Sequence, residues 1–341
     1  MAIIIKKNVP LAPYTTFRVG GPARFFTIVK NTDELVDAVN FAKKEKIPWF
    51  LLGGGANILV MDDGFSGLVI KNEIPGFEYK ISGDDLTASV GAGEVWDDFV
   101  LDTVKHGFWG LENLSGIPGS VGASPVQNVG AYGIEVKSAI SKVEVLDTDN
   151  CRIKIFPPEQ CLFEYRDSIF KKNIGKKFII TKVYFNLTKN GSANLAYKNL
   201  ESQFKDTKEK ISISEIRNAT LSARQRKMPD LHKVGTAGSF YAHPIISMKM
   251  YENVKNKYPN MPFWSYGNGL AKIPAGWLVE FVANSKGLRR GDVGSWHQHA
   301  LVFVNYGNAL AREVDLFSSD IEKNILEKTG IILEREVQMV G

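Results

Sequence analysis

Residues 115–133 read Ser-Gly-Ile-Pro-Gly-Ser-Val-Gly-Ala-Ser-Pro-Val-Gln-Asn-Val-Gly-Ala-Tyr-Gly: five glycines, two prolines and no charged side chain. Such a segment makes a poor helix and a poor strand, yet it carries nothing that would hold it in water. A buried irregular backbone must find partners for its amides. A bound cofactor rich in acceptors, such as a dinucleotide with its pyrophosphate, would supply them. A glycine-rich crossover inside the core would satisfy the same composition, and on composition alone both readings stand.

A second glycine feature narrows the choice. Leu52-Gly53-Gly54-Gly55-Ala56-Asn57-Ile58 lies between two strand signals, Trp49 to Leu52 and Ile58 to Val60. Three consecutive glycines let backbone N–H groups converge on an anion with no Cβ in the way. No G-x-G-x-x-G opens a helix here and no Walker lysine follows, so neither common nucleotide fingerprint applies. A tight turn after a strand is the plainer alternative.

The remaining signals alternate between helix and strand. Asn31 and Glu34 are spaced as a capping box before Leu35, Val39 and Ala42. Leu68 to Ile70 is expected to join Ile58 to Val60 through the Asp63-Gly64 turn. Ala88 to Val90 leads to Gly91-Ala92-Gly93, and Trp96, Phe99 and Val100 share one face of the following helix. Ile179, Thr181, Val183, Phe185 and Leu187 alternate with Lys182, Tyr184 and Asn186, as in a half-buried antiparallel strand. A polar stretch from Lys198 to Lys210 reads as solvated surface. Ser212 and Glu215 cap a helix that ends near Lys227, before Pro229. The last third holds a helix starting near Pro274, a strand from Ala300 to Val304, and a long helix with Leu310, Val314, Phe317, Ile321 and Ile325 as its stripe. Gly330 ends that helix. A closing strand sets Ile332, Glu334, Glu336 and Gln338 on one face, against Leu333, Arg335, Val337 and Met339.

With 341 residues, two or three packed domains are expected. A net charge of +5 is too mild and too dispersed for a nucleic-acid binder, but it suits small polyanions. Cys151 and Cys161 are the only cysteines, too few for a disulfide framework or a Cys-rich metal site, so a reducing compartment is expected. The order Ile3-Ile4-Ile5 then Lys6-Lys7 reverses that of a secretory signal. The longest apolar run, Ile47 to Met61, is broken by glycines and Asn57. A cytoplasmic protein with no membrane association is expected.

Three residues invite chemistry, each beside a plainer reading. Arg166 in Tyr165-Arg166-Asp167-Ser168 is otherwise an ion-paired surface arginine. Ser239, after Gly235-Thr236-Ala237-Gly238, is otherwise a turn residue. Glu336 is otherwise a solvated strand carboxylate. His297 and His299 have a metal-like spacing, but no carboxylate or cysteine stands close in sequence, so no metal is expected.

Taken together, Gly-Gly-Gly-Ala-Asn-Ile-Leu, Gly-Ala-Gly-Glu and the 115–133 segment resemble the UDP-N-acetylenolpyruvoylglucosamine reductase family, in order and from about Pro13 to the C-terminus. The resemblance implies an α+β chain with the vanillyl-alcohol-oxidase (PCMH) type of FAD-binding fold in two subdomains, residues 1–75 and 76–228. The terminal strand 331–341 would join the second, and 229–330 would be a smaller α/β substrate-binding domain. It implies NADPH-dependent reduction of UDP-N-acetylglucosamine enolpyruvyl ether to UDP-N-acetylmuramate through non-covalent FAD, in peptidoglycan precursor synthesis, by a monomer acting on small molecules. Position by position, the catalytic set becomes Arg166, Ser239 and Glu336. FAD contacts fall on Gly53, Gly54, Gly55, Ala56, Asn57 and Ile58, and on Ile117, Pro118, Gly119, Gly122, Ser124, Gly130 and Tyr132. Substrate contacts fall on Tyr197, Lys227, His243, Lys272 and His299. Tyr197 matches the subclass that closes a tyrosine loop over the diphosphate. His243, His299-Ala300 and Thr16-Phe17-Arg18-Val19-Gly20-Gly21 resemble the other subclass.

Two rivals stay open at this stage. An oxidase of the same flavin superfamily would need no UDP-binding lysines and would react fast with oxygen. A nucleotide-sugar-binding protein without catalysis would be colourless and take up no FAD.

Overall fold

A computed structural model describes residues 3–207 and 209–341, with the backbone alone at 198 and 199. The chain divides into two compact units. The first comprises residues up to Val9, Ala23–Gly54 and Ser66–Gln225; the second comprises Pro10–Pro22, Gly55–Phe65 and Arg226–Gly341.

The first unit is built on two sheets. The larger is antiparallel, in the order Arg152–Phe156, Ile140–Asp147, Phe178–Thr188, Asp85–Gly91 and Phe77–Ser82. Ile179, Thr181, Val183, Phe185 and Leu187 are all buried, but the alternation breaks at a register shift opposite Glu144 and Val145: Ile179 packs in a different core, and Ile180 joins Val183, Phe185 and Leu187 on one face. The helix Trp96–Lys105 packs Trp96, Phe99 and Val100 into the same core as this face. The Phe99 and Phe185 rings meet at 4.9 Å, and the Trp96 indole N–H donates to the Leu114 carbonyl at 2.9 Å. Each fully buried ring of this kind stabilises the fold by about 1.5–3 kcal/mol.

The smaller sheet runs Lys6–Pro10, Pro22–Val29, Phe65–Asn72 and Trp49–Leu52, the last two parallel. Helix Thr32–Glu45 buries Leu35, Ala38, Val39 and Ala42 in a core shared with Leu68 and Ile70. Its N-terminus departs slightly from the expected capping box. Asn31 accepts the Glu34 N–H at 2.9 Å, but the Glu34 carboxylate accepts the N–H of Lys30, one residue before the cap. The polar stretch after 197 also differs from the expectation, because Lys198–Phe204 is helical and Leu200 is buried. Lys208, within that stretch, lies outside the described residues.

In the second unit, an antiparallel sheet runs Gly235–Ser239, His299–Asn305, Val293–Trp296 and Arg289–Arg290. Helix Ala311–Thr329 packs Val314, Phe317, Ile321 and Ile325 into its core and ends at Gly330, whose φ of 72° is left-handed. Leu310 does not join that stripe. Its spacing is in phase, but it precedes the first turn in extended backbone, so its side chain is not carried on the helix face, and Ala311 is buried instead. A three-stranded sheet, Ile245–Ser247, Leu270–Lys272 and Trp264–Ser265, completes the unit.

Two sequence expectations need correction. Ile58–Val60 forms no hairpin with Phe65–Asn72; it pairs in parallel with Gln338–Val340. The expected pair Asp63-Gly64 does turn the chain, Gly64 N–H donating to the Met61 carbonyl at 2.9 Å, and the neighbouring Asp62 reaches a distant helix. The Asp62 carboxylate accepts the Ala311 and Arg312 N–H groups at 2.8 and 3.0 Å, capping the long helix. The closing strand is likewise shorter than expected, Gln338–Val340 only. Before it the chain is irregular, although burial still alternates there: Leu333 and Val337 are buried while Ile332 is 69% exposed.

Candidate active site

In the first unit, the glycine segments singled out in the sequence meet backbone to backbone. A Cβ on Gly54 would lie 2.5 Å from the Gly119 Cα, and one on Gly53 would lie 2.7 Å from the Ser120 hydroxyl. Lys71, on the neighbouring strand, donates to the Gly53 carbonyl at 2.6 Å. Burial lowers the pKa of that ammonium, and Glu73 partly opposes the shift. Farther along, Val121 and Gly122 donate to the Glu94 and Ala92 carbonyls, both at 2.9 Å. The protein itself therefore takes up part of the amide inventory that the sequence assigned to a ligand. Ile117 packs at the edge of the aromatic core, Pro118 is exposed, and Ser124 is buried with its hydroxyl donating to the Val121 carbonyl at 2.8 Å.

The end of the segment is a tight ribbon. Gly130 pairs with Glu135 and Ala131 with Ile134, with Tyr132 and Gly133 at φ 49° and 85° between them. Two left-handed residues are what the favoured two-residue hairpin turn requires. Arg166 occupies a second turn, between the bridged residues Glu164 and Asp167, and is itself left-handed at φ 55°. A non-glycine residue there costs free energy and persists only where its surroundings enforce it. Its guanidinium donates to the Gly130 carbonyl at 2.8 Å and lies 5.4 Å from the Tyr165 ring. Tyr197 meets Tyr132 edge to face at 4.9 Å, and the buried Asn113 amide donates to the carbonyls of Tyr132 and Asn194. Arg166, the glycine segment and Tyr197 thus share one surface of the first unit.

Sequence reasoning missed the ion pair beneath that surface. Arg217 forks onto Asp97 with two bonds of 2.8 Å, and Asp97 also accepts the Gly116 N–H at 2.6 Å. Burial would raise the Asp97 pKa, but the Arg217 fork, the Gly116 bond and the charge of Arg224 outweigh it and hold the carboxyl below its usual range. The Arg224 stem packs 3.3 Å from where a Gly116 Cβ would stand, so a second arginine borders the glycine segment. A polar spacing such as Asp97 to Arg217 spans 120 residues and leaves no local signal.

The second unit gathers a different set. Gly55 begins its share of the triplet, at φ 65°, where a Cβ would lie 2.1 Å from the Tyr14 carbonyl oxygen. Ala56 follows, half-buried, and Ile58 opens the strand that pairs with Gln338–Val340. The Asn57 amide donates to the Glu336 carbonyl at 3.0 Å, and its own carbonyl accepts the Gln338 N–H. Glu336 donates its N–H to the Phe240 carbonyl at 2.8 Å, one residue beyond Ser239. Ser239 ends its strand opposite Val302, after a bulge at left-handed Gly238. The fold therefore brings Asn57, Ser239 and Glu336 into neighbouring segments of one unit, although 279 residues separate Asn57 from Glu336.

Among the expected substrate residues, His243 accepts the Ala275 N–H at 3.2 Å and lies 5.4 Å from Trp264. Lys272 pairs across the small sheet with Ile245 and Trp264, and its ammonium stands over the Tyr266 ring. Burial first, then the ammonium groups of Lys227 and Lys286, lower the pKa of His299. Glu280, which pairs with Lys286 at 2.9 Å, partly opposes that shift, so imidazole, lysines and one carboxylate share a neighbourhood. No cluster of three or more metal-ligating side chains occurs among the described residues. No helix among them is long and apolar enough to cross a membrane.

The geometry fits a dinucleotide. Gly54 and Gly119 pack backbone against backbone, an approach that any Cβ at Gly54 would block, and Lys71 and Arg224 bring positive charge to the borders of the two segments, which suits a pyrophosphate. Comparison with known proteins decides the family. Residues 23–154 match an FAD-binding domain, and residues 229–340 match the C-terminal domain of UDP-N-acetylenolpyruvoylglucosamine reductase. The enzyme of that name from Flavobacterium johnsoniae is 39% identical over 98% of this chain and 99% of its own. The chain belongs to the UDP-N-acetylenolpyruvoylglucosamine reductase family. A Pseudomonas putida member of the family is 35% identical with the same coverage. The solved reductase from Thermus caldophilus superposes with a TM-score of 0.69 at 26% identity, covering 99% of this chain and all of that one. As a member of this reductase family with its FAD-binding domain, the protein is an FAD-dependent oxidoreductase of the vanillyl-alcohol-oxidase type of fold.

Proposed function

We propose that the protein uses NADPH to reduce UDP-N-acetylglucosamine enolpyruvyl ether to UDP-N-acetylmuramate, a step of peptidoglycan precursor synthesis. Family membership supports the reaction. The observation that carries the residue assignment is the hydrogen bond from Glu336 N–H to the Phe240 carbonyl, which sets the glutamate beside the serine segment. FAD, when bound, would be held by Gly53 to Ile58 and by the segment from Ile117 to Tyr132, and would supply the vinyl carbon of the enolpyruvyl group with a hydride drawn from NADPH.

The protein's own work follows from the charge that this addition creates. Negative charge builds on the substrate carboxylate as an enolate. Arg166 stabilises it with a fixed charge and a fork of donors that a lysine lacks. Ser239 gives its hydroxyl proton to the adjacent carbon, and an enolate of a carboxylate is basic enough to accept it. One hydride and one proton thereby saturate the double bond, and NADPH leaves as NADP⁺. Glu336 orients Arg166 or polarises the carboxylate. Lys227 and Lys272 hold the diphosphate as point charges, with His243, His299 and Tyr197 beside them. In this reading residues 1–75 and 76–228, with 331–341, serve the flavin, and 229–330 serve the nucleotide sugar. The protein works as a cytoplasmic monomer on small molecules, away from nucleic acid and membrane.

The test is a colour cycle without oxygen. NADPH should bleach the yellow protein, and the UDP-sugar enolpyruvyl ether should restore the colour with formation of the lactyl ether. Bleaching without recolouring would overturn the assignment, and fast recolouring by oxygen alone would favour the oxidase reading.

A further inference from the structure

We infer that Asn128 is a positioning residue for Arg166, with Ser168 as its second support; this rests on the role of Arg166 proposed above. Asn128 is completely buried and left-handed at φ 44°. Its amide donates to the Glu164 carbonyl and to the Glu135 carboxylate, both at 2.9 Å, and its oxygen accepts the Lys137 N–H at 3.1 Å. Glu164 opens the turn that carries Arg166, and Glu135 pairs with Gly130, whose carbonyl accepts the Arg166 guanidinium. One side chain therefore ties together both ends of the arginine's setting, the turn it rises from and the ribbon it rests on. Ser168 closes the other flank, with its buried hydroxyl donating to the Val126 carbonyl at 2.5 Å.

The physical case is one of strain and accuracy. A left-handed arginine must be held by its surroundings, and the Asn128 side chain bridges turn and ribbon. A carbonyl and an N–H buried without it would each lose a partner, and the turn would relax. A shift of about 1 Å at a charge-stabilising group can cost on the order of 10²-fold in rate. Asn128 touches no reacting atom in this account; it acts through Arg166.

The experiment compares Asn128→Gly, which tolerates the same backbone angle, with Asn128→Asp, which turns a carboxylate against Glu164 O and the Glu135 carboxylate. Both should bleach with NADPH at the wild-type rate. Recolouring by the enolpyruvyl substrate should slow about 10–100-fold. Calorimetric affinity for the UDP-sugar lactyl ether should fall about tenfold. In an Arg166→Lys background the Asn128 changes should add little further slowing, because the group they position is already gone. Equal slowing of bleaching and recolouring, or full additivity with Arg166→Lys, would reduce Asn128 to a structural residue and overturn the inference, as would unchanged recolouring in Asn128→Gly. If Arg166→Lys alone recolours normally, the proposed role of Arg166 fails instead. Should the Asn128 variants not fold, Ser168→Ala is judged by the same criteria.

Discussion

Arg166 and Ser239, both proposed to act on the same substrate group, are held in opposite ways. Arg166 stands in a strained turn fixed by buried side chains, Asn128 and Ser168, and its guanidinium is bonded to the glycine ribbon. Ser239 ends a strand just after a bulge at Gly238, where glycine takes the left-handed angle without strain, and it is paired with Val302 and flanked by the backbone bond from Glu336 to Phe240. A forked cation must meet a carboxylate at a defined angle, so its support has to fix direction as well as distance. A single hydroxyl can rotate to its acceptor, and a backbone ladder places it well enough.

That contrast can be broken by substitution. Ser239→Ala should leave bleaching by NADPH unchanged and slow recolouring by the enolpyruvyl substrate about 10²–10⁴-fold, the share of a positioned proton donor; normal turnover would remove the serine from the mechanism. Arg166→Lys should slow the same step about 10²-fold, because charge survives but the fork does not. Rapid-mixing absorbance reads both. If the arginine change were silent while the serine change was not, the elaborate support around Arg166 would need another purpose.

Stability should separate the two regions more gently. Asp97→Asn strips the buried Arg217 of its counter-charge beneath the glycine segment and should lower unfolding free energy by about 2–3 kcal/mol in denaturant titration. The sign with pH follows from the direction of the shift. The folded carboxyl is held below its usual range, so its contribution is present above that range and is lost as pH falls through the folded value. Asp97→Asn should flatten that part of the acid-unfolding curve. In the second unit, Asp62→Ala removes a cap from helix Ala311–Thr329 and should cost about 1 kcal/mol.

What the sequence reveals follows the range of the interaction. Capping at Ser212 and Glu215 is visible because both partners sit within one turn, and the structure shows the reciprocal bonds, Ser212 N–H to Glu215 at 2.7 Å and Glu215 N–H to the Ser212 hydroxyl at 3.3 Å. The buried face of Trp96–Lys105 and the alternation from Val183 to Leu187 are legible for the same reason, whereas the register shift that sends Ile179 to another core is not. The fate of Ile58–Val60 is not, because its partner strand lies at the far end of the chain and the adjoining turn caps a distant helix. Leu310 misleads, since an apolar residue in phase with a stripe need not be inside the helix. Within the site, glycines advertise themselves by composition. Asn128 and Arg217 do not, because a buried polar residue becomes recognisable only when its partners are known. The left-handed setting of Arg166 leaves no mark in Tyr-Arg-Asp-Ser.

One arginine, one serine and one glutamate from distant stretches are proposed to serve a single substrate group. A crystal structure of the FAD-loaded protein with the UDP-sugar enolpyruvyl ether tests this directly. The Arg166 guanidinium should lie on the enolpyruvyl carboxylate, with the Ser239 hydroxyl within hydrogen-bond reach of the carbon to be protonated and Glu336 touching one of them. An enolpyruvyl group bound away from Arg166 or Ser239 would contradict it.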